Sequence, residues 1–133
     1  MGAGSIIALT EDQIHAQVRD YLAVLKIDSI HFANGAVLAG DKKRRAMQVN
    51  RLKKLGMVPG ASDLILFDRI VRRVGFLEVK RPGSYQTPEQ KAFEQLVKGV
   101  WGWPYAVVRS TSDTAEALNQ WGWRPFDPLK VAA

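Results

Sequence analysis

Gly60-Ala-Ser-Asp-Leu-Ile-Leu-Phe67, followed by Val74-Gly-Phe-Leu-Glu-Val-Lys80, is the stretch that decides the fold. Leu64 to Phe67 is a short apolar run, and Val74 to Lys80 is a second β-prone run. The connection around Asp68 to Arg73 is short enough for an antiparallel hairpin. Glu78 and Lys80 stand two apart, so on a strand they project from one face, while Leu77 and Val79 project into the core from the other. Pairing Phe67 with Val74 places Asp63 opposite Glu78. Facing residues on paired strands have Cβ atoms ~5 Å apart, and like charges placed there repel. A fold gains no stability from such a pair. A divalent cation between the two acids turns repulsion into coordination, because Mg²⁺ is commonly held by one or two carboxylates, waters and phosphate oxygens. Lys80 beside them is suited to positioning or deprotonating an attacking water and to offsetting charge on a phosphate. Taken singly, Asp63 reads as a strand cap and Glu78–Lys80 as a surface ion pair worth ~0–1 kcal/mol. The three together, between apolar strands, favour a metal site.

Outward from this hairpin, the remaining elements follow from caps and periodicity. Thr10 with Gln13 forms a capping box, and Ile14, Val18, Tyr21, Leu22 and Leu25 recur at helical spacing, which predicts a first helix over residues 11–26. Ser29 to Ala33 reads as a short strand closed by the turn pair Asn34-Gly35. Lys42 to Leu55 reads as a basic helix with Met47, Leu52 and Leu55 on its apolar side, stopped by Gly56. After the hairpin, Thr87, Pro88 and Gln90 open a helix with a second capping box. Phe93, Leu96, Val97 and Val100 give that helix its core face. Pro104 to Arg109 is a further strand. Ser112 or Asp113 caps a last helix running to about Trp121, and the tail from Pro125 reads as loose. The order α-β-α-β-β-α-β-α predicts a mixed α/β domain with a hairpin at its centre and helices packed on the sheet.

The chain has 133 residues, of which 47% are hydrophobic and 24% charged, as expected for one globular domain over 1–133 with its core in about 10–120. There is no cysteine, which excludes disulfides, thiolate metal sites and cysteine nucleophiles. No apolar run approaches the ~18 residues that a membrane span requires. Met1 to Ile6 carries neither a basic leader nor the Ser or Thr of a myristoylation signal. The expectation is a soluble, intracellular, cytoplasmic protein with no membrane partner. Neither G-x-G-x-x-G nor a P-loop occurs, so no nucleotide cofactor is expected.

Nineteen Lys and Arg against thirteen Asp and Glu leave a net charge of +6. Seven of the cations (Lys42, Lys43, Arg44, Arg45, Arg51, Lys53 and Lys54) fall in one segment that holds no acid. A second group comprises Arg69, Arg72, Arg73, Lys80 and Arg81. One basic run is as readily a solvated helix face. Two such groups in so short a chain favour a phosphate-binding surface, hence DNA.

Asp63, then Glu78-Val79-Lys80, resembles the signature of the PD-(D/E)xK nuclease superfamily, with Ser62 where the name motif has Pro. The fuller resemblance is to the VRR-NUC (virus-type replication-repair nuclease) family. It rests on Lys54-x-Gly56 leading into Gly60-x-x-Asp63-Leu, on Glu78-x-Lys80, on Thr87-x-x-Gln90 and on the Tyr105-to-Ser110 strand, and runs from about Glu11 to Leu118. It implies a restriction-endonuclease-like α/β fold with an αβββαβ core, to which this chain adds a basic helix after its first strand. It also implies hydrolysis of DNA phosphodiesters with Mg²⁺, for which Mn²⁺ substitutes. By the same resemblance Asp63, Glu78 and the Val79 carbonyl are metal ligands and Lys80 is the catalytic lysine. The family's first-helix glutamate maps onto Glu11 and its later glutamine onto Gln90. Stand-alone members of this size look like homodimeric Holliday-junction resolvases, and fused ones like flap nucleases.

Several residues carry two readings. Glu11 is also a helix N-terminal acid favoured by the macrodipole. His15 stands on the face of Glu11, and His31 on the strand before Asn34; both read more readily as structural than as ligands. Trp101, Trp103, Trp121 and Trp123 read first as core, then as interface. With Arg81, the seven cations of the basic segment are the candidate DNA contacts. The leading function is a metal-dependent, structure-selective endonuclease acting on branched DNA. A flap or restriction-type nuclease subunit, and a non-catalytic DNA-binding domain on the same fold, remain as alternatives.

Overall fold

A computed structural model of the chain describes residues 8–32, 41–54, 60–70 and 72–123, without the side chains of Val49, Leu52 and Lys53. Within these residues the chain runs α1 (Glu11–Val24), β1 (Ile27–His31), α2 (Lys42–Lys54), β2 (Leu64–Asp68), β3 (Arg73–Val79), α3 (Pro88–Gln95), β4 (Tyr105–Val108) and α4 (Thr111–Gln120). The four strands form one sheet in sequential order. β1–β2 and β2–β3 are antiparallel, whereas β3–β4 is parallel and is bridged by α3. This is the mixed α/β architecture, with a central hairpin, that the sequence predicts.

Both faces of the sheet are covered. On one face α1 and α4 lay Ile14, Val18, Leu22 and Leu118 against Leu64, Leu66, Leu77 and Val79. On the other, Phe93 and Val97 from the α3 side pack against Phe76 and Tyr105. β3 is therefore buried along both faces from Gly75 onward. Gly75 has a local reason to be glycine. A Cβ there would stand 2.5 Å from Cζ3 of Trp121, whose ring lies over the strand.

The caps explain where the helices begin. Thr10–Gln13 and Thr87–Gln90 both form complete capping boxes. α1 stops at Val24 rather than residue 26, because Lys26 turns the chain with φ 64° and lets Ile27 enter the core as the start of β1. β1 thus lies two residues ahead of its predicted start. α4 is capped by Ser110, not by Ser112 or Asp113. The Ser110 hydroxyl accepts from the Asp113 N–H at 3.0 Å, and the Asp113 carboxylate reaches back to the Arg109 N–H at 2.9 Å. α3 continues into a wider π-type turn over Leu96–Trp101, closed by Gly102 at φ 73°.

The tryptophans divide. Trp123 is buried and Trp121 half-buried, while Trp101 and Trp103 stay exposed on the α3 side. Trp101 packs its ring at 6.0 Å from that of Phe93. Among the described residues no helix is long and apolar enough to cross a membrane. Leu55, Gly56, the Asn34-Gly35 turn and the tail from Pro125 lie outside the described residues, as does the side chain of Leu52.

Candidate active site

The β2–β3 ladder pairs Phe67 with Val74 and ends at Leu64 with Leu77, so the next pair along it is Asp63 opposite Glu78. The two acids are fastened reciprocally. The Asp63 N–H donates to Glu78 Oε2 at 3.2 Å, and the Val79 N–H donates to Asp63 Oδ2 at 2.7 Å. Where the backbone ladder stops, each carboxylate takes the place of a carbonyl and receives an N–H from the facing strand. The hairpin register thereby becomes side-chain geometry.

Glu78 is only 1% exposed. Burial is the main reason its carboxyl is pushed up from 4.5 to about 8. The neighbouring Asp63 adds to the shift through its charge and by hydrogen bonding to the protonated form. The Lys80 charge works the other way. Lys80 is itself only 7% exposed, so the alternative reading of Glu78–Lys80 as a surface ion pair is not what forms. Among the described residues the ion pairs within 4.0 Å are Arg69–Asp28 and Lys98–Glu94, and Lys80 belongs to neither. Its backbone N–H is fixed to the Val108 carbonyl at 3.0 Å, which anchors the stem while the ammonium remains uncommitted to either carboxylate.

Gln90 combines the two roles the sequence offered it. Its Oε1 accepts from the Thr87 N–H at 2.8 Å, closing the capping box, and its Nε2 donates to Glu78 Oε1 at 2.5 Å. The cap therefore aims the amide at the carboxylate. Gly60 allows this closeness. At φ 76°, its backbone lies so near the first turn of α3 that a Cβ would collide with the Glu89 carbonyl and the Gln90 nitrogen.

On the opposite side, the Asp63 carbonyl accepts from the Phe32 N–H at 2.8 Å and stands 3.2 Å from His31 Nδ1. The His31 ring meets that of His15 edge-on, with centroids 4.5 Å apart. Burial, then the neighbouring His31, lowers the His15 pKa from 6.5. The histidines thus pin the turn that presents Asp63. Tyr105, which sequence reasoning did not single out, has its phenol pushed up by burial and by the Glu78 charge. Its hydroxyl is within 3.3 Å of Gln86 Nε2, which also donates to Glu94 at 3.1 Å. Nothing in the sequence pattern marks this link.

Glu11 lies in the first turn of α1 and is half-buried. Among the described residues no group of three or more His, Asp or Glu side chains converges as a metal-binding set, so Glu11 is not gathered with Asp63 and Glu78. The donor set at hand is two carboxylates with the Gln90 amide beside them. Such a set fits Mg²⁺, which takes one or two carboxylates and completes its octahedron with waters and phosphate oxygens. Burial and the Asp63 charge both work against ionised Glu78, so a cation beside the pair would favour its carboxylate form.

The candidate DNA contacts are placed as follows. Lys42, Lys43, Arg44, Arg45, Arg51 and Lys54 are exposed on α2, and the Lys53 side chain lies outside the described residues. Asp41, unnoticed in the sequence, starts this helix by accepting the Arg44 N–H at 2.9 Å. Met47 is 63% exposed, so the expected apolar side is not covered at that position. Phe32, the last described residue before the segment 41–54 that holds α2, donates its N–H to the Asp63 carbonyl, and Gly60, the first described residue after it, lies against Gln90. Arg81 is exposed directly after Lys80. The second basic group does not form one patch. Arg69 is paired bidentately with Asp28 at 2.7 Å, and Arg73 begins the strand whose far end leads to Lys80, roughly 20 Å away.

No protein-family model matches the sequence, and no curated protein matches it. Among solved structures, one described as a VRR_NUC domain protein superposes with a TM-score of 0.63 at 19% identity, covering 92% of this chain and 96% of that one. The likeness is one of fold. This chain is built as a VRR-NUC domain is, on a restriction-endonuclease-like α/β frame, and the resemblance read from its motifs agrees with the architecture.

Proposed function

We propose that this chain is a metal-dependent, structure-selective DNA endonuclease of the VRR-NUC kind, and that its substrate is a four-way junction. The observation that carries the reading is the reciprocal pair of buried Glu78 and half-buried Asp63, hydrogen-bonded to Gln90 through Glu78 and followed by Lys80. A pure DNA-binding domain gains nothing by setting a buried carboxyl against a second carboxylate where a polyanion must approach. Asp63, Glu78 and the Val79 carbonyl would hold Mg²⁺ or Mn²⁺. Bound there, the cation supplies Lewis-acid polarisation of the scissile phosphate and a more acidic attacking water. The chain's own groups do the rest. Gln90 orients the Glu78 carboxylate, Val79 N–H orients that of Asp63, and Lys80, uncommitted to either, is placed to hold the attacking water or the non-bridging phosphate oxygen. The cations of α2 with Arg81 grip the backbone without reading sequence. With DNA as substrate, the working compartment would be the cytoplasm.

Incubation with labelled four-way junction, flap and linear duplex, each with Mg²⁺, Mn²⁺ or EDTA, tests this directly. Cation-dependent cutting concentrated on the junction is the expected result. Preferred cutting of the flap would replace the resolvase by a flap nuclease, and binding without cutting under all conditions would refute the enzyme. Paired nicks on a two-fold symmetric junction call for two copies of the Asp63–Glu78–Lys80 set, so a C2 homodimer is the expected assembly. Light scattering coupled to size exclusion should show twice the chain mass. A stable monomer that nicks both junction strands together would refute the dimer.

A further inference from the structure

The segment between Lys80 and Thr87 is left unexplained by the site it adjoins. Tyr85 is 78% exposed within it and belongs to neither core cluster. Yet the loop is pinned on both sides of this residue. Ser84 N–H closes a turn onto the Arg81 carbonyl at 3.1 Å, with Gly83 at φ 83°. The Ser84 carbonyl accepts from an Arg109 guanidinium nitrogen at 2.9 Å. On the other side, Gln86 Nε2 is shared between Glu94 and Tyr105. The parallel register places Val108 beside Val79, so Arg109 leaves the sheet next to Lys80. From there its guanidinium reaches the Tyr85 ring, 5.9 Å from the centroid. A ring held in this way loses little entropy on gaining another partner.

We infer that Tyr85, with Arg109 against its ring, is a stacking platform for an unpaired or terminal nucleobase beside the scissile phosphate. The chemistry fits in three respects. The ring is flat, open to solvent and backed by a guanidinium, which is the arrangement that takes a base without reading its identity. Arg81 and Arg109 supply positive charge for the phosphates flanking that base. The loop joins the strand bearing Glu78 to the helix bearing Gln90, so a base seated on Tyr85 sets which phosphate lies at the carboxylates. The inference rests on the nuclease reading and deepens it: the platform selects strands whose bases are free to leave the duplex, as at a flap or a crossover.

The test compares the wild-type chain with Tyr85→Ala and Tyr85→Phe by fluorescence anisotropy, in EDTA, on a flapped duplex and on a fully paired duplex of the same length. Because Tyr85 is exposed, thermal melting should be unchanged in both variants and confirms that they fold. The affinity ratio of flapped to paired DNA should drop about tenfold in Tyr85→Ala, the order of one base–aromatic stack, and recover in Tyr85→Phe. An unchanged ratio in Tyr85→Ala, or a Tyr85→Phe variant as weak as the alanine one, overturns the platform. A cleavage assay of the wild-type preparation with Mg²⁺ or Mn²⁺ separates the two readings. A Tyr85-dependent ratio without cutting keeps the platform and removes the enzyme, whereas cutting with a Tyr85-independent ratio does the reverse.

Discussion

Replacing Glu78 by Gln should remove a steep loss of stability that the cation-free protein suffers between pH 4.5 and 8. Gln preserves shape, still offers an oxygen to the Asp63 N–H and cannot ionise; its NH₂ facing the Gln90 amide adds a cost that does not vary with pH. In the folded wild-type chain the Glu78 carboxyl keeps its proton to about pH 8, whereas in the unfolded chain it releases it near 4.5. The folded state binds the proton more tightly, so its stability is fullest below pH 4.5 and is lost as pH rises through 8. Each pH unit inside that window costs about 1.4 kcal/mol, so the wild type should lose about 3 kcal/mol relative to Glu78→Gln between pH 4.5 and 7. For a domain of this size that is a shift of roughly 10 °C in melting temperature. The assay is thermal or urea unfolding of both proteins in EDTA over this pH range. Taking the difference cancels the titration of every other acid. Mg²⁺ should then raise the wild-type midpoint at pH 7 and leave that of the variant nearly unmoved, since only the former keeps both carboxylates for it. Parallel pH–stability curves for the two proteins in EDTA would show that Glu78 does not carry a buried, destabilised charge, and the argument for a cation there would lose its electrostatic basis.

Asp63→Ala, Glu78→Ala and Lys80→Ala should each abolish cleavage and leave junction binding largely intact; near wild-type cutting by Glu78→Ala would sink the assignment. Gln90→Glu separates the two roles of that residue. It keeps a capping-box acceptor for the Thr87 N–H, yet it sets a third carboxylate against Glu78 and should slow turnover at least tenfold. A fully active Gln90→Glu enzyme would reduce Gln90 to a cap. Neutralising Lys42, Lys43, Arg44 and Arg45 should weaken junction and duplex binding alike. It should also make the slope of log affinity against log salt shallower, by roughly 0.9 for each phosphate the variant no longer neutralises. An unchanged slope would make α2 a solvated face.

The hairpin and its site were legible because their determinants are local and periodic. Two β-prone runs with a short connection admit few registers, and side chains alternate with a period of two. The facing of Asp63 and Glu78 is therefore arithmetic on the sequence, and the ladder bears it out. Gln90 was legible for a similar reason, since a capping box spans three residues and fixes where its amide sits. Tertiary structure alone decided what surrounds these groups. Burial of Glu78 and Lys80 depends on α3 covering the second face of β3, a contact between distant segments that no alternation pattern encodes. The same applies to Gly75 beneath Trp121, to Gly60 against α3, and to His31 on the Asp63 carbonyl. Arg109 reaching Ser84 and Tyr85 follows from the parallel pairing of β3 with β4, which needs the crossover through α3. The sequence by itself thus determined which two acids face each other across one hairpin and which amide is capped beside them. Only the packed sheet decided how dry they are, because burial of Glu78 needs elements far apart in the chain to close over β3.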